Sequence, residues 1–481
     1  MINSPFKKYR LSKNLLKAIA LLNYKEPTPV QEETIPLVLA GKDVVVKSQT
    51  GSGKTASFAI PICERVDWEE NKPQALILTP TRELAIQVSE DFFHLGRFKR
   101  IKVVALYGKA PFPIQAKQIK QKTHVVVGTP GRTLDHLEKG TWDTSEIKYL
   151  VIDEADEMLR MGFIEEVQSI IDRLPKDRVT LLFSATLPKD IEALSKAYMK
   201  APLTVEIEAE SVASNQVEQV RYNVKEEDKL DLLEQLTIIE NPESCMIFCN
   251  TQVQVDVVYE GLVNRKYTCQ KIHGGMEQKD RFQVMEDFRK GYFRYLVATD
   301  VAARGIDIDH ITHVINYDLP EDKESYVHRI GRTGRGSKEG KAITFVTPRD
   351  SRFLKSIHDY IGYEIPLETL ELPGAIKELK QEFEMKMRTR MKSIEGKGTK
   401  LNEEIIKLHI NAGKKTKMRP VDIVGTLCNL PGMTAQDIGI INILDVSTFV
   451  EILNNKGEEV LKALQTTPIK GRLRRVTKAD R

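Results

Sequence analysis

Short apolar runs alternate with longer mixed segments along most of the chain. In the first stretch the runs cover residues 43–47, 75–79, 103–107, 125–128, 149–153 and 180–184. Continuous Val, Ile and Leu without polar alternation is the pattern of a strand buried on both faces. Helical periodicity fills the spaces, as over residues 82–93 and 163–174. This alternation predicts a parallel sheet covered by helices on both sides, with ligands at the carboxyl ends of the strands. A polar segment, residues 209–216 (AESVASNQ), predicts a linker. The pattern then starts again, with runs at 245–250, 295–299, 312–316 and 342–346. A charged helical stretch from about Ala375 to Lys400, broken by Gly396 and Gly398, predicts a second connector.

A third pattern follows. Residues 404–410 alternate as a strand, and 420–427 read as a helix with Pro420 in its first turn. Strands are expected at 438–446 and 448–453, a helix at 458–464 and a last strand at 473–476. The order βαββαβ is that of an RRM. The aromatic signature of that fold is missing, because residues 447–452 supply only Phe449.

The 481 residues suggest about three domains. The composition, 41% hydrophobic and 29% charged, is that of a globular chain. No apolar run reaches the roughly 18 residues of a membrane span, and the N-terminus lacks the apolar stretch of a signal peptide, so a cytoplasmic protein is expected. Cys245 and Cys249 have no second pair or histidine at zinc spacing, which favours buried thiols over a metal site. The net charge of +4 is unevenly placed: from Pro373 onward there are 21 Lys and Arg against 13 Asp and Glu. That basic tail is either a nucleic-acid contact or a solvated surface.

The chemistry starts at residues 42–59, KDVVVKSQTGSGKTASFA. A buried strand, a glycine loop and a helix expected over 55–63 form a phosphate cradle, in which amide N–H groups and the helix dipole favour negative charge. The cradle is Ser48, Gln49, Thr50, Gly51, Ser52 and Gly53. Lys54 adds a point charge for the β- and γ-phosphates, and Thr55 holds Mg²⁺. Ser48 stands where the P-loop pattern has its first glycine. A second buried strand ends in Asp153-Glu154-Ala155-Asp156. Asp153 is placed to hold the metal through water, and Glu154 to polarise the water that attacks the γ-phosphate. The bland alternative for this acidic pair is a helix cap.

With these motifs the chain resembles the DEAD-box RNA helicases over residues 6–346. Besides the P-loop and DEAD it has Pro27-Thr28-Pro29-Val30-Gln31 with Phe6 upstream, Pro80-Thr81-Arg82-Glu83-Leu84-Ala85, Thr129-Pro130-Gly131-Arg132 and Ser184-Ala185-Thr186. The second half has Gln278-Lys279-Asp280-Arg281, Ala298-Thr299-Asp300, Ala303-Arg304-Gly305-Ile306-Asp307 and His328-Arg329-Ile330-Gly331-Arg332-Thr333-Gly334-Arg335. Two departures are Tyr107-Gly108-Lys109, where the family often has Gly-Gly, and Asn23, where glycine is common. The resemblance implies two tandem RecA-like parallel-sheet domains (residues 1–208 and 217–372, joined by 209–216). A basic connector (373–400) and a small RRM-like α+β domain (401–481) follow.

The resemblance also implies roles. Gln31 bonds the adenine edge, and Asp307 accepts from the ribose. Phe6 either lies on the purine or is an ordinary packed aromatic. Arg332 and Arg335 reach the γ-phosphate, with Arg335 as the finger proper. Ser184 and Thr186 link the Glu154 region to the other half. ATP and Mg²⁺ are the implied cofactors. RNA contacts are expected from Arg82, Gly108, Thr129 and Arg132, and from Thr251, Gly274, Arg281 and Thr299, residue types suited to phosphate and sugar. In the C-terminal domain the candidates are Lys414, Lys415, Lys417 and Arg419 with Lys470, Arg472, Arg474 and Arg475. Together with Asp437-Ile438-Gly439, this arrangement is similar to the bacterial DbpA-type helicases. That likeness implies anchoring on 23S ribosomal RNA and a part in assembling the large ribosomal subunit. Two other readings stay open: a DNA helicase on the same scaffold, and an ATP-gated RNA clamp with little strand separation.

Overall fold

The computed structural model describes residues 4–48, 51–207, 217–303, 308, 310–334, 339–370, 376–389 and 398–479. By its internal packing the chain divides into two compact units. One holds residues 1–46, 53–205 and 397–481, the other residues 47–52 and 206–396.

The first sheet has seven strands: β1 (Val44–Lys47), β2 (Ala75–Leu78), β3 (Val103–Leu106), β4 (Val125–Gly128), β5 (Tyr149–Ile152), β6 (Val179–Ser184) and β7 (Leu203–Glu206). Their order is β3-β4-β2-β5-β6-β1-β7. The pairings β3–β4, β4–β2, β2–β5 and β5–β6 are parallel. Every residue of β2 and β4 is buried, because helices cover both faces. On one face Phe58 packs its ring 6.0 Å from Phe92 and 5.1 Å from Phe183. Buried Asp43 ties strand ends together by accepting from the Thr180 N–H at 2.9 Å and the Lys200 N–H at 2.7 Å. Strand β7 was not expected: three of its four residues are exposed, so it lacks the apolar run that marks a covered strand.

The second sheet has β8 (Val217–Asn223), β9 (Cys245–Phe248), β10 (Cys269–Ile272), β11 (Tyr295–Ala298), β12 (His313–Asn316) and β13 (Gly340–Val346), in the order β10-β11-β9-β12-β13-β8. All its pairings are parallel. Edge strands β8 and β10 carry polar residues in their sequences, VEQVRYN and CQKI, and so escaped the apolar-run criterion. The charged stretch read as a connector contains the helix Ile376–Arg388, which buries Phe383 and Met387 in the second core. The Phe383 ring lies 5.1 Å from that of Tyr267. The expected linker, residues 209–216, lies outside the described residues.

The C-terminal module is an antiparallel sheet of β14 (Ile406–Ile410), β15 (Ile438–Ile443), β16 (Thr448–Ile452) and β17 (Val476–Lys478), ordered β15-β16-β14-β17. The helices Pro420–Cys428 and Gly457–Ala463 close one face over Leu408, Ile410, Val450 and Ile452. Two expectations need correction. The last strand begins at Val476 and not at Leu473: Gly471, at φ +70°, turns the chain, and Leu473 is 65% exposed. Strand β15 stops at Ile443, because the Leu444 N–H turns to the Ser447 carbonyl.

Among the described residues no helix is long and apolar enough to cross a membrane. All five cysteines are free, and four are buried.

Candidate nucleotide and RNA sites

Strand β1 runs through the glycine loop into the helix Lys54–Arg65. Gln49 and Thr50 lie outside the described residues. Ser48 is buried, and Ser52 Oγ donates to its hydroxyl at 3.3 Å. Gly51 and Gly53 have φ of +81° and +89°, the left-handed region that suits glycine. At Gly53 space adds a second constraint. A Cβ there would stand 2.5 Å from Gln31 Nε2 and 2.9 Å from Thr28 Oγ1.

Gln31 is 1% exposed and sits in the first turn of the helix Pro29–Leu39. Its Oε1 accepts from the Thr28 N–H at 3.2 Å, and its Nε2 donates to the Gly53 carbonyl at 3.1 Å. An amide has one more N–H and one more lone pair than these bonds use, the donor–acceptor pair an adenine edge requires. Phe6 is fully buried, its ring 6.1 Å from Tyr9 and 6.4 Å from Tyr24. Lys54 is buried at the start of its helix, with Thr55 half-buried beside it.

Asp153 follows β5 and is 3% exposed. Burial lifts its carboxyl to about 7; Lys54 opposes the rise and Glu154 adds to it. Its Oδ1 has no hydrogen-bond partner among the described residues. An acceptor left like this costs free energy, which a cation would relieve. Among the described residues no group of three or more His, Cys, Asp or Glu could hold a metal. One carboxylate and one hydroxyl suit an ion that arrives on phosphates with its own water, as Mg²⁺ does. Glu154 has φ +55° and ψ +53° and caps the helix Ala155–Arg160 without a side-chain hydrogen bond. Its carboxylate therefore does not serve as a cap, and its left-handed backbone marks a strained position of the kind found at functional sites.

Asp156 was passed over in the sequence, yet it is the hub of this corner. Its Oδ2 accepts from the Ala185 N–H at 3.1 Å, the Thr186 N–H at 3.0 Å and the Thr186 hydroxyl at 3.1 Å. Its own N–H donates to Ser184 Oγ at 3.2 Å. Ser184 and Thr186 were expected to link the Glu154 region to the other half of the chain; on the side of the first unit both bond to Asp156, two residues from Glu154. The cause is proximity: β5 and β6 are parallel neighbours, so their carboxyl ends emerge side by side.

The candidate RNA residues of the first sheet stand at the carboxyl ends of β2, β3 and β4. Arg82 opens the helix Arg82–Gly96, and its guanidinium lies against Gly108, where a Cβ would be 3.4 Å from Nη2. Thr129 precedes the helix Pro130–Glu138. Arg132 Nη1 donates to the Ala110 carbonyl at 2.9 Å and to Gln115 Oε1 at 2.7 Å. In the second unit Thr251, Gly274 and Thr299 follow β9, β10 and β11 in the same way, and Arg281 is buried in the helix Gln278–Arg289. Arg332 is 6% exposed, and its Nε donates to the His328 carbonyl at 3.2 Å. Arg335 and Asp307 lie outside the described residues.

A second missed hub is Arg329, 1% exposed. It grips Asp300 with Nε at 2.6 Å and Nη2 at 2.7 Å, and reaches the Asp318 carbonyl at 2.6 Å and Asn250 Oδ1 at 2.8 Å. In the module, Lys414, Lys415, Lys417 and Arg419 are exposed, as are Arg472 and Arg475, while Arg474 is half-buried. Lys470 joins the two basic segments, donating to the Lys417 carbonyl at 2.5 Å and to Asp422 Oδ2 at 3.2 Å.

Residues 28–194 match the DEAD/DEAH box helicase family, residues 228–337 the helicase conserved C-terminal domain and residues 407–478 the DbpA RNA binding domain. The chain is 55% identical over 480 residues to the ATP-dependent RNA helicase DbpA of Bacillus subtilis (strain 168), covering 99% of this chain and 100% of that one. It is 45% identical over 352 residues to the DEAD-box ATP-dependent RNA helicase CshA of the same organism, covering 73% of this chain and 71% of that one. Among solved structures, S. cerevisiae Dbp5 bound to RNA and ADP BeF3 matches with a TM-score of 0.71 and 32% identity, over 80% of this chain and 100% of that one.

Two outcomes follow from this corner. Gly53→Ala should weaken ATP binding by about tenfold or more, read by calorimetric titration, because both the backbone and the Gln31 contact forbid the methyl. Asp153→Asn should stabilise the nucleotide-free protein at alkaline pH. The folded carboxyl sits above its ordinary value, so the stability its neutral form contributes is lost as pH rises through about 7. Thermal scans should show little difference between variant and parent below about pH 4, a difference that grows toward neutrality, and a higher melting temperature for the variant from there upward.

Proposed function

This chain belongs to the DEAD-box ATP-dependent RNA helicases and carries a DbpA RNA binding domain, and on that premise we propose that it is a cytoplasmic enzyme that opens short duplexes in 23S ribosomal RNA during assembly of the large ribosomal subunit. The observation that carries the chemical part is Asp153, buried beside Lys54 with one oxygen that lacks a partner among the described residues. In this reading the amides of residues 48–53 and the Lys54 ammonium hold the triphosphate. Thr55 and Asp153 hold Mg²⁺, which supplies charge neutralisation on the β- and γ-phosphates. Glu154 takes the proton of the attacking water, and its freedom from capping supports that assignment. Gln31 reads the adenine edge while its bond to Gly53 ties base recognition to the loop. Phe6 closes the purine side and Asp307 the ribose. Arg332 and Arg335 supply cationic charge to the γ-phosphate, so hydrolysis depends on the second unit.

Arg82, Gly108, Thr129 and Arg132, with Thr251, Gly274, Arg281 and Thr299, hold RNA through phosphate and sugar. Core binding is therefore independent of sequence and weakened by salt. ATP must favour the RNA-gripping state over the open one for its hydrolysis to separate strands. The targeting part rests on the exposed basic residues of the module, on its match to the DbpA domain and on the likeness to DbpA-type helicases.

The test is RNA-stimulated ATPase with 23S ribosomal RNA, an unrelated RNA and matched DNA. The parent chain should respond best to the ribosomal RNA and not to DNA. Replacing Lys414, Lys415, Lys417 and Arg419 together by Ala should lower the ratio of ribosomal to unrelated stimulation by about tenfold. Equal stimulation of the parent by both RNAs would overturn the targeting, and equal stimulation by DNA the choice of RNA.

A further inference from the structure

The module's sheet has one face covered by its own helices. On the opposite face, neighbouring positions of β16 and β14 are Phe449 beside His409 and Glu451 beside Lys407. On a sheet that stacks bases, these central positions carry aromatic or cationic side chains. A carboxylate there would repel phosphate. Yet Glu451 is only 5% exposed, and its cover is Arg97 of the first sheet domain, itself 6% exposed. Arg97 Nε reaches Glu451 Oε2 at 3.3 Å, and Nη2 reaches Oε1 at 3.1 Å. Nη1 bonds to Asn402 Oδ1.

This ion pair is flanked by independent contacts. Lys102 Nζ donates to the Ile441 carbonyl at 2.6 Å, and Lys117 pairs with Asp445 at 2.7 Å. An apolar cluster joins Ala18 and Phe98 to Leu401, Ile405 and Leu453. Phe449 lines a cleft of about 640 Å³ together with Phe93, Lys102 and Tyr107 of the first sheet domain. The basic edge of the module, Lys414, Lys415, Lys417 and Arg419, stays exposed.

We propose that the open sheet face of the C-terminal module is a seat for the first helicase domain, locked by Arg97 on Glu451, and that the seated module meets RNA along its basic edge. The second half rests on the RNA-binding reading above; the first half does not. A buried carboxylate and guanidinium tolerate loss of a partner poorly, so the lock selects one seating position. It thereby fixes where RNA held by the module lies relative to the strand-gripping residues of the first domain.

The test uses the full chain. Hydrogen exchange is followed in residues 97–106, 438–443 and 448–452 for Arg97→Glu, Glu451→Arg and the double reversal. Each single reversal should speed exchange in all three segments by about tenfold or more. The double reversal should return it to within about threefold of the parent. Unchanged exchange in both singles, or no recovery in the double, overturns the lock. Should a reversal unfold the chain, Glu451→Gln serves instead: faster exchange supports the lock and unchanged exchange overturns it. In parallel, binding of a 23S ribosomal RNA fragment should stay within about twofold in Phe449→Ala and fall about tenfold in Lys415→Glu/Lys417→Glu. A tenfold loss in Phe449→Ala with exchange unchanged would overturn the seat. A parent chain that binds none of the fragment would instead overturn the RNA-binding reading, leaving the exchange result to stand alone.

Discussion

The interaction on which the candidate nucleotide site depends is an incomplete one: a carboxylate, Asp153, shut away from water beside Lys54 with an oxygen that no donor among the described residues reaches. Burial makes that charge expensive, and a nearby ammonium offsets only part of the cost. The remainder is a standing preference for a further cation. Everything around the corner keeps it in place. Strands β2 and β5 deliver the Asp153 backbone, whose N–H donates to the Leu78 carbonyl at 2.9 Å. Gln31 binds the loop opposite, and Asp156 fastens the turn after β6 to the turn after β5.

The same plan recurs in the second sheet. Short strands buried on both faces leave no polar atom along their length free to do chemistry, so the polar groups collect in the turns at their carboxyl ends. There one buried charged residue organises several turns at once. In the first sheet it is Asp156, gathering three donors. In the second it is Arg329, whose planar fork suits Asp300 and three further acceptors. Such hubs tie neighbouring turns together, as the positioning of a phosphate would require.

How much of this could be read from the chain follows from the same physics. Central strands β2, β4, β5, β9 and β11 announce themselves, because burial on both faces demands unbroken apolar runs. Edge strands β7, β8 and β10 do not, since one side of each meets solvent and tolerates Glu, Gln, Arg and Lys. Lys54, Thr55, Asp153 and Glu154 could be singled out in the sequence because phosphate chemistry restricts residue type and spacing together. Asp156 and Arg329 could not: an acid beside two acids, or an arginine among arginines, reveals no partner until the fold supplies one. Phe383 and Met387 were hidden in a stretch rich in Lys and Glu. Only three dimensions show that its sparse apolar side chains share a helix face. Glu451 was invisible for the same reason, its meaning residing in Arg97, far away in sequence.

If Asp153 is a metal ligand, it holds its proton near neutrality and gives it up when the metal arrives with nucleotide. Calorimetric titration of MgATP at pH 7, in buffers of differing ionisation enthalpy, measures this directly, because metal binding to a protonated ligand releases the proton. Net proton release on binding is expected at pH 7, vanishing at pH 9 and absent in Asp153→Asn. Binding heats that do not depend on the buffer at pH 7, with MgATP bound tightly, would contradict it.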